Sequence, residues 1–185
     1  GWRGQPSSRL SMSLSAYYNM YDDLRTTGFV SGPSFPVILR NDAEGQTYGL
    51  DGWATYDVTA KWRLKGGFNL LHKDFRVKPG AVDLAQLAVA GMDPSYQAQI
   101  RSQWVITPAV DFDLGLRTVG KIDNAPVPAY TEADAHVRWR VTPAIELGID
   151  GMNLLHDHHL EVWDTENTPP RYIGRSLFAT IRYGF

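Results

Sequence analysis

The 185-residue chain contains no cysteine, no long apolar run and no marked excess of charge of one sign. Without cysteine it holds neither a disulfide framework nor a thiolate metal site. No stretch reaches the roughly 18 uninterrupted apolar residues of a transmembrane helix. The net charge of −2 provides no broad basic surface for neutralising phosphates, so we expect no nucleic-acid partner.

The chain opens at Gly1-Trp2-Arg3, with neither an initiator methionine nor a charged-then-apolar signal segment. Either a signal peptide has been removed or the chain is a piece of a longer protein. The opening close to a predicted strand favours the second interpretation.

Aromatic residues and turn formers are abundant: the chain contains nine Tyr, six Trp, 17 Gly and 11 Pro. This composition favours strands joined by many turns over helices. Apolar and polar residues alternate with period two in eight segments, each about long enough to cross a bilayer as a tilted strand. We therefore predict an all-β fold of eight antiparallel transmembrane β-barrel strands, roughly at 10–20, 47–58, 61–73, 95–106, 109–119, 132–141, 144–155 and 176–185.

The predicted connections alternate between long and short, as in outer-membrane barrels. Tight turns are predicted near Thr59-Ala60-Lys61 and at two near copies of a Thr-Pro-Ala turn, which begin at Thr107 and Thr142. Aromatic rings cluster on the apolar face near these turns, where the headgroup zone favours them, at Trp62, Trp104, Trp139 and Phe185. We therefore expect the tight turns to be periplasmic and the long connections extracellular, at 26–45, 74–94, 120–129 and 157–171.

Five motifs, in the family's order along the chain, resemble those of TonB-dependent outer-membrane receptors. Residues 16–25 resemble the family's "(F/Y)YNxYDDLR" strand, and residues 45–51 resemble its "GETYGLE" segment. Residues 128–131 resemble "PAYT", and residues 152–161 look like the "NL(L/F)D…H.E" segment. The end of the chain, from Gly174-Arg175 to Phe185, resembles the closing strand that ends in an aromatic residue.

This resemblance covers essentially all of the chain and implies both its architecture and its activity. Residues 1–185 would form the C-terminal part of a larger barrel whose plug and earlier strands are absent from this chain. The implied setting is the outer-membrane lipid of a Gram-negative bacterium, and the implied activity is energised uptake of a ferric siderophore or similar large nutrient. TonB would act through the missing plug, and the barrel-insertion machinery would recognise an assembly signal in the last strand at Leu177, Ala179, Ile181, Tyr183 and Phe185.

Charged residues on the polar sides of these strands should face the barrel lumen. Because a buried unpaired charge is costly, we expect them to pair with one another, with water or with a plug. They are Arg63, Arg101, Asp111, Asp113, Arg117, Glu132, Asp134, His136, Arg138, Arg140, Glu146 and Asp150. Ligand contacts are predicted instead in the extracellular loops, at Tyr48, Phe75, Tyr96, Tyr130, Trp163 and Arg171.

The sequence offers little for catalysis or metal binding. The run with His156, His158 and His159 lacks the ligand spacing of known zinc motifs, and we predict that it lies at the outer rim. No catalytic triad, phosphate-binding glycine loop or paired-carboxylate site is present in the sequence. We therefore predict no metal, no cofactor and no enzymatic activity.

Two other folds fit the same alternation. One is a self-contained eight-stranded barrel of the OmpA type, serving as an anchor or adhesion protein, whose first strand (10–20) and last strand (177–185) would pair. The other is a soluble β-sandwich binding module. A sandwich would bury Leu114, Val137, Ile149 and Ile181 in one interior. A receptor segment would instead form either a curved open sheet or a strained small barrel.

Overall fold

The computed structural model describes residues 1–29, 36–84, 86–163 and 170–184 and confirms the predicted all-β class. Within these ranges, no helix is long and apolar enough to cross a membrane. One short helix, α1 (Gln86–Ala90), accompanies eleven strands. The strands are β1 (Trp2–Ser7), β2 (Leu10–Phe29), β3 (Val37–Thr59), β4 (Trp62–Val77), β5 (Tyr96–Thr107), β6 (Val110–Val119), β7 (Tyr130–Thr142), β8 (Ile145–Met152), β9 (His158–Val162), β10 (Arg171–Gly174) and β11 (Ser176–Tyr183).

Nine strands form one antiparallel sheet in the order β1-β2-β3-β4-β5-β6-β7-β8-β11, and β9 and β10 pair separately. All eight predicted segments are strands of the large sheet. The ninth, β1, was missed because Gly4 and Pro6 interrupt its alternation. Pro6 lies where the β1–β2 ladder shifts register, between Gly4 and Ser7, and a proline is tolerated at such an irregularity.

The four tight turns share one construction. Each begins at a hydroxyl residue whose oxygen accepts the N–H of the residue two positions later, at 3.2–3.3 Å. These residues are Ser7, Thr59, Thr107 and Thr142. The ladder shifts register at each turn, so one hydroxyl repeatedly stabilises the same irregular hairpin end.

Strands β2 and β3 have 20 and 23 residues, about twice the length that a tilted strand needs to cross a bilayer. The long connection predicted at 26–45 is therefore wrong in part, because residues 26–29 and 37–45 continue these strands. Other residues of the predicted connections are also strand: 74–77 extends β4, 158–162 forms β9, and Arg171 begins β10.

The large sheet is a single layer without a dry interior. Ile149 and Ile181, which a sandwich would bury, are 53% and 79% exposed, and Val137 is also exposed. Leu114 is partly exposed. Buried apolar residues in the described ranges are few and do not form a central core. These exposures rule out the sandwich interpretation.

The sheet is open. Strands β1 and β11 lie at its two ends, and no ladder joins them within the described residues. Residues 10–20, predicted as an edge strand of the chain's sheet, pair with β3, and Leu10–Leu14 also pairs with β1. This arrangement differs from a closed eight-stranded barrel and agrees with the predicted curved open sheet of a partial barrel.

Aromatic rings occupy two levels of the apolar face. Near the tight turns, Trp62 and Trp104 stack at 5.8 Å, and Trp104 and Phe112 stack at 5.6 Å. Farther from the turns, Tyr48 stacks on His72 at 4.6 Å. The two levels are about ten residues apart along β4, which matches the length of a membrane-crossing strand. The predicted Trp139 lies on the same face and is exposed, whereas Phe185 lies outside the described residues.

Candidate functional site

All twelve predicted lumen-facing residues lie on one face of the large sheet. Residues directly opposite each other in antiparallel strands share a face, so the ladder fixes this placement. One row of the ladder runs from Gln103 through Asp113 and His136 to Asp150. This polar face lines an open cleft of about 680 Å³, as expected for a concave surface.

Charged groups on this face pair across neighbouring strands, as predicted. Arg138 donates to Asp111 at 2.9 Å, and Arg101 lies 3.4 Å from Asp113. The ring of His136 lies 2.6 Å from Asp150. Two further pairs use partners that the prediction omitted: Asp57 binds Arg63 at 2.5 Å, and Arg182 binds Glu146 at 3.0 Å. Arg140 donates to the carbonyl oxygen of Pro108 at 3.1 Å. The polar face is therefore a charge-balanced wall.

We call the ends of the strands that lie away from the tight turns their upper ends. At the upper end of β7, the chain between β8 and β9 folds back over the polar face. Asn153 begins this turn with φ of 54°, a left-handed conformation that asparagine tolerates better than most residues. Its N–H donates to Asp134 at 2.9 Å, and the N–H of Leu154 donates to the carbonyl oxygen of Ala133 at 2.8 Å. The left-handed φ and a bond from Arg117 to the side-chain oxygen of Asn153, at 3.2 Å, explain the asparagine in the segment that resembles the family motif.

Glu132 lies fully buried beneath this turn. Its carboxylate accepts the N–H of Leu155 at 3.0 Å and contacts the ring nitrogen Nδ1 of His156 at 2.7 Å. The Nδ1 atom of His159 lies 3.3 Å from the same carboxylate. His156 and His159 therefore lie together at the end of β7, next to the same carboxylate.

A second cluster attaches β9 to the wall. Arg117 donates to the hydroxyl of Tyr130 at 2.8 Å, and it lies 3.3 Å from Glu161. The Tyr130 hydroxyl donates to Glu161 at 3.0 Å, and the Tyr130 ring stacks on His159 at 4.1 Å. Arg117 also donates to the side chain of Asn153 at 3.2 Å. One guanidinium thus joins β6, β7, β9 and the turn after β8.

The upper part of β2 and β3 is covered by the connection that follows β4. The N–H of Lys78 donates to the carbonyl oxygen of Asp42 on β3, and the N–H of Leu84 donates to the carbonyl oxygen of Thr27 on β2. Asp83 accepts the N–H of Thr27 at 2.9 Å and that of Leu87 at 2.8 Å. We call residues 78–84 the strap, since they cross from β3 to β2.

The charge of Lys78 supports the strap. Asp23 accepts a hydrogen bond from the Lys78 ammonium at 2.8 Å and thereby raises the pKa of Lys78 above its ordinary value. Sequence reasoning missed the strap because its bonds to β2, at Asp23 and Thr27, join residues more than 50 positions apart.

The six predicted ligand-contact residues do not share one surface. Tyr48 and Tyr96 were expected in loops, but both lie in strands on the apolar face, because they continue its alternation. Phe75 lies on the polar face in edge-to-face contact with Tyr21, with ring centroids 6.0 Å apart. Tyr130 is almost fully buried under His159. Trp163 follows β9 directly, and Arg171 opens β10 opposite Val162.

Strand β11 carries the residues predicted as an assembly signal. Leu177, Ala179, Ile181 and Tyr183 lie on the apolar face opposite the apolar side of β8, and Leu177 is 75% exposed. Phe185 lies outside the described residues. As for metals, the described ranges contain no group of three or more His, Asp or Glu side chains arranged to hold an ion.

Several solved structures share this fold. The siderophore receptor PiuA from Acinetobacter baumannii matches with a TM-score of 0.73 and 17% identity over 95% of this chain and 26% of its own. The ferric-catecholate import receptor Fiu from E. coli K12 matches with a TM-score of 0.75 and 15% identity over 99% of this chain and 26% of its own. The copper transporter OprC matches with a TM-score of 0.68 and 15% identity over 99% of this chain and 30% of its own. The chain therefore spans between a quarter and a third of these proteins.

The sequence comparisons are more selective. No curated protein matches the chain significantly. Residues 1–154 match the family model described as TonB dependent receptor-like, beta-barrel. The match covers most of the chain and agrees with the open sheet, with its charged concave face, and with the predicted identity as a C-terminal barrel portion. The chain belongs to the TonB-dependent receptor-like β-barrel family.

Proposed function

We propose that the chain forms part of the wall of an outer-membrane receptor that imports a ferric siderophore or a similar large metal chelate. The observation that carries this proposal is the one-layer sheet, which has an exposed apolar face and a charge-paired polar face. Hydrocarbon solvates the first face, and water or protein solvates the second. Such a wall suits a wide water-accessible passage in the outer membrane of a Gram-negative bacterium.

The remaining parts of the transporter lie elsewhere in this proposal. Residues 1–185 are the C-terminal barrel segment, and the plug and earlier strands precede it. TonB acts on the plug and supplies the energy for uptake. The match to about a quarter of each of PiuA and Fiu supports this division. The last strand, with its exposed apolar residues Leu177 and Ile181, serves as the recognition strand for the barrel-insertion machinery.

The substrate class rests on the relatives. PiuA and Fiu are described as receptors for a siderophore and a ferric catecholate, whereas OprC is described as a copper transporter. The polar face carries nearly balanced charge, so it does not by itself select one metal complex. We favour iron chelates, and copper is the competing cargo for the experiment to test.

The test uses the full-length receptor that contains this chain, expressed in a bacterium deleted for its own siderophore receptors. Uptake of radioactive iron is measured with a panel of catecholate, hydroxamate and mixed siderophores, with and without TonB. We expect saturable uptake of at least one ferric complex that is lost without TonB. An empty-vector strain measures leakage through porins.

Two results would contradict the proposal in different ways. TonB-dependent uptake of copper, with no uptake of any ferric complex, would overturn the iron assignment but keep the transporter. A correctly folded receptor that imports neither metal would overturn the proposed transport activity.

A further inference from the structure

The connection between β8 and β9 is attached to the wall through one buried carboxylate. Three groups within five residues converge on Glu132: the N–H of Leu155, the ring of His156 and the ring of His159. All three belong to the chain that folds back over the rim. Glu132 itself belongs to wall strand β7.

This attachment provides the hydrogen-bond partners of the Glu132 carboxylate. Its side chain is 0% exposed, and a buried carboxylate without partners is strongly unfavourable. Leu155 and His156, in the turn before β9, therefore supply the hydrogen bonds that water would otherwise make. Lifting the connection from the rim would require water to enter or a proton to bind, so Glu132 favours the docked position.

His159 lies beside the same contact without hydrogen-bonding to it. Its ring is 6% exposed and lies between two carboxylates, with Nδ1 3.3 Å from Glu132 and Nε2 3.9 Å from Glu161. The ring also stacks on Tyr130. Arg117 supplies an independent attachment through Glu161 and Asn153.

The attached element is a hairpin. Strand β9 pairs with β10 from His158 opposite Gly174 to Val162 opposite Arg171. Whatever fixes β9 at its lower end therefore also fixes the far end of the hairpin, where Trp163 and Arg171 lie.

We propose that Glu132 and Arg117 are positioning residues that hold the β9–β10 hairpin so that it presents Trp163 and Arg171 to the imported ligand. The ligand step rests on the proposed function. The anchoring step does not, because it concerns only the position of the hairpin relative to the wall.

The anchoring step is tested by a distance measurement in the full-length receptor. With any native cysteines elsewhere in the receptor replaced, spin labels are attached to V162C on β9 and to L116C on the outward face of β6, and the distance distribution is recorded. Both native side chains are more than 40% exposed, so the labels fit without displacing packed groups. We expect one narrow distribution in the parent protein.

Glu132→Leu removes every acceptor at similar volume and is expected to broaden the distribution clearly. Glu132→Gln should restore much of it, since an amide still accepts from Leu155 and donates to His156. Glu146→Leu is the matched control: it removes a carboxylate of the same face whose partner, Arg182, is 80% exposed and stays hydrated. This control should leave the distribution unchanged.

A second variant protects the test against misfolding. The His156 side chain is 52% exposed, so His156→Ala removes one of the two groups that hydrogen-bond Glu132 without opening an internal cavity. It should broaden the distribution less than Glu132→Leu does. If Glu132→Leu or His156→Ala folds and gives the parent distribution, the anchoring proposal is wrong.

Ligand binding is measured on the same proteins with the ferric complex that the parent receptor imports. For Glu132→Leu we expect Kd to rise about tenfold, in line with the loss of a buried hydrogen-bonded partner. The maximal uptake rate should change little, whereas a general defect of folding would lower it. A displaced hairpin with unchanged Kd would overturn the presentation of Trp163 and Arg171. If the parent binds no ferric complex, the proposed function fails while the distance result still stands.

Discussion

Gly49 lies where β3 passes closest to its neighbours. A Cβ atom added there would lie 2.0 Å from the carbonyl oxygen of Leu70 and 2.5 Å from the hydroxyl of Tyr17. That hydroxyl donates to the same carbonyl oxygen, at 3.4 Å. Glycine at this position therefore allows a tyrosine of β2 to reach across β3 to β4.

Gly49→Ala should lower the free energy of unfolding by about 1–3 kcal/mol, because the methyl group overlaps backbone that cannot move freely. Gly66→Ala is the matched control, since the nearest atom to its added Cβ is 3.6 Å away. Urea unfolding of the receptor in lipid vesicles, followed by tryptophan fluorescence, measures both. Equal midpoints for the two variants would contradict the argument.

Side-chain faces are predictable from the sequence at this scale, but side-chain partners are not. Alternation placed Asp111 and Arg138 on the polar face, where the structure shows them paired. The same alternation also places Tyr48 on the apolar face, but its aromatic character suggested a ligand contact. The partners of Glu132 depend on how a distant connection folds back, and local periodicity carries no information about that.

The strap is hydrogen-bonded to the upper part of β2. The side chain of Asp83 accepts the N–H of Thr27, and the N–H of Leu84 donates to the carbonyl oxygen of Thr27. These two bonds attach the strap to the upper part of β2.

Asp83→Ala should loosen the strap, because the N–H groups of Thr27 and Leu87 both lose their acceptor. Hydrogen exchange measured by mass spectrometry should become about tenfold faster in peptides that contain these residues. Asp123→Ala serves as the control, since Asp123 pairs only with exposed Lys121 in a different connection. Unchanged exchange at Thr27 in the Asp83 variant would show that the strap is held by other contacts.

Most elements could be predicted, and the missed ones have physical reasons. The eight alternating segments all form strands because period-two patterns report one solvated and one lipid-facing side. Above the membrane that difference in solvent disappears, so the upper parts of β2 and β3 lack a clear alternation. Strands β9 and β10 are short and form only because the rim supports them, a tertiary effect that local sequence does not encode.

For the whole molecule, the missing dry core is the decisive property. A sheet with large exposed residues such as Ile100, Ile149 and Leu177 on one side gains stability only when hydrocarbon covers that side. The charged side gains nothing from hydrocarbon and needs water or protein. Fold, membrane setting and the placement of charges are therefore one consequence of the alternating pattern, whereas the cargo is not specified by it.

The last prediction compares the two faces within one strand. Ile100→Arg places a charge on the apolar face and should cost about 2–4 kcal/mol if that position faces the middle of the bilayer. Gln103→Arg places the same side chain on the polar face beside Asp113, to which Gln103 already donates at 2.7 Å, and should cost little. Heat-modifiable gel mobility and urea titration of the receptor in vesicles measure both variants. Equal destabilisation by the two arginines would mean that the faces do not differ in solvent, and the membrane assignment of the sheet would be wrong.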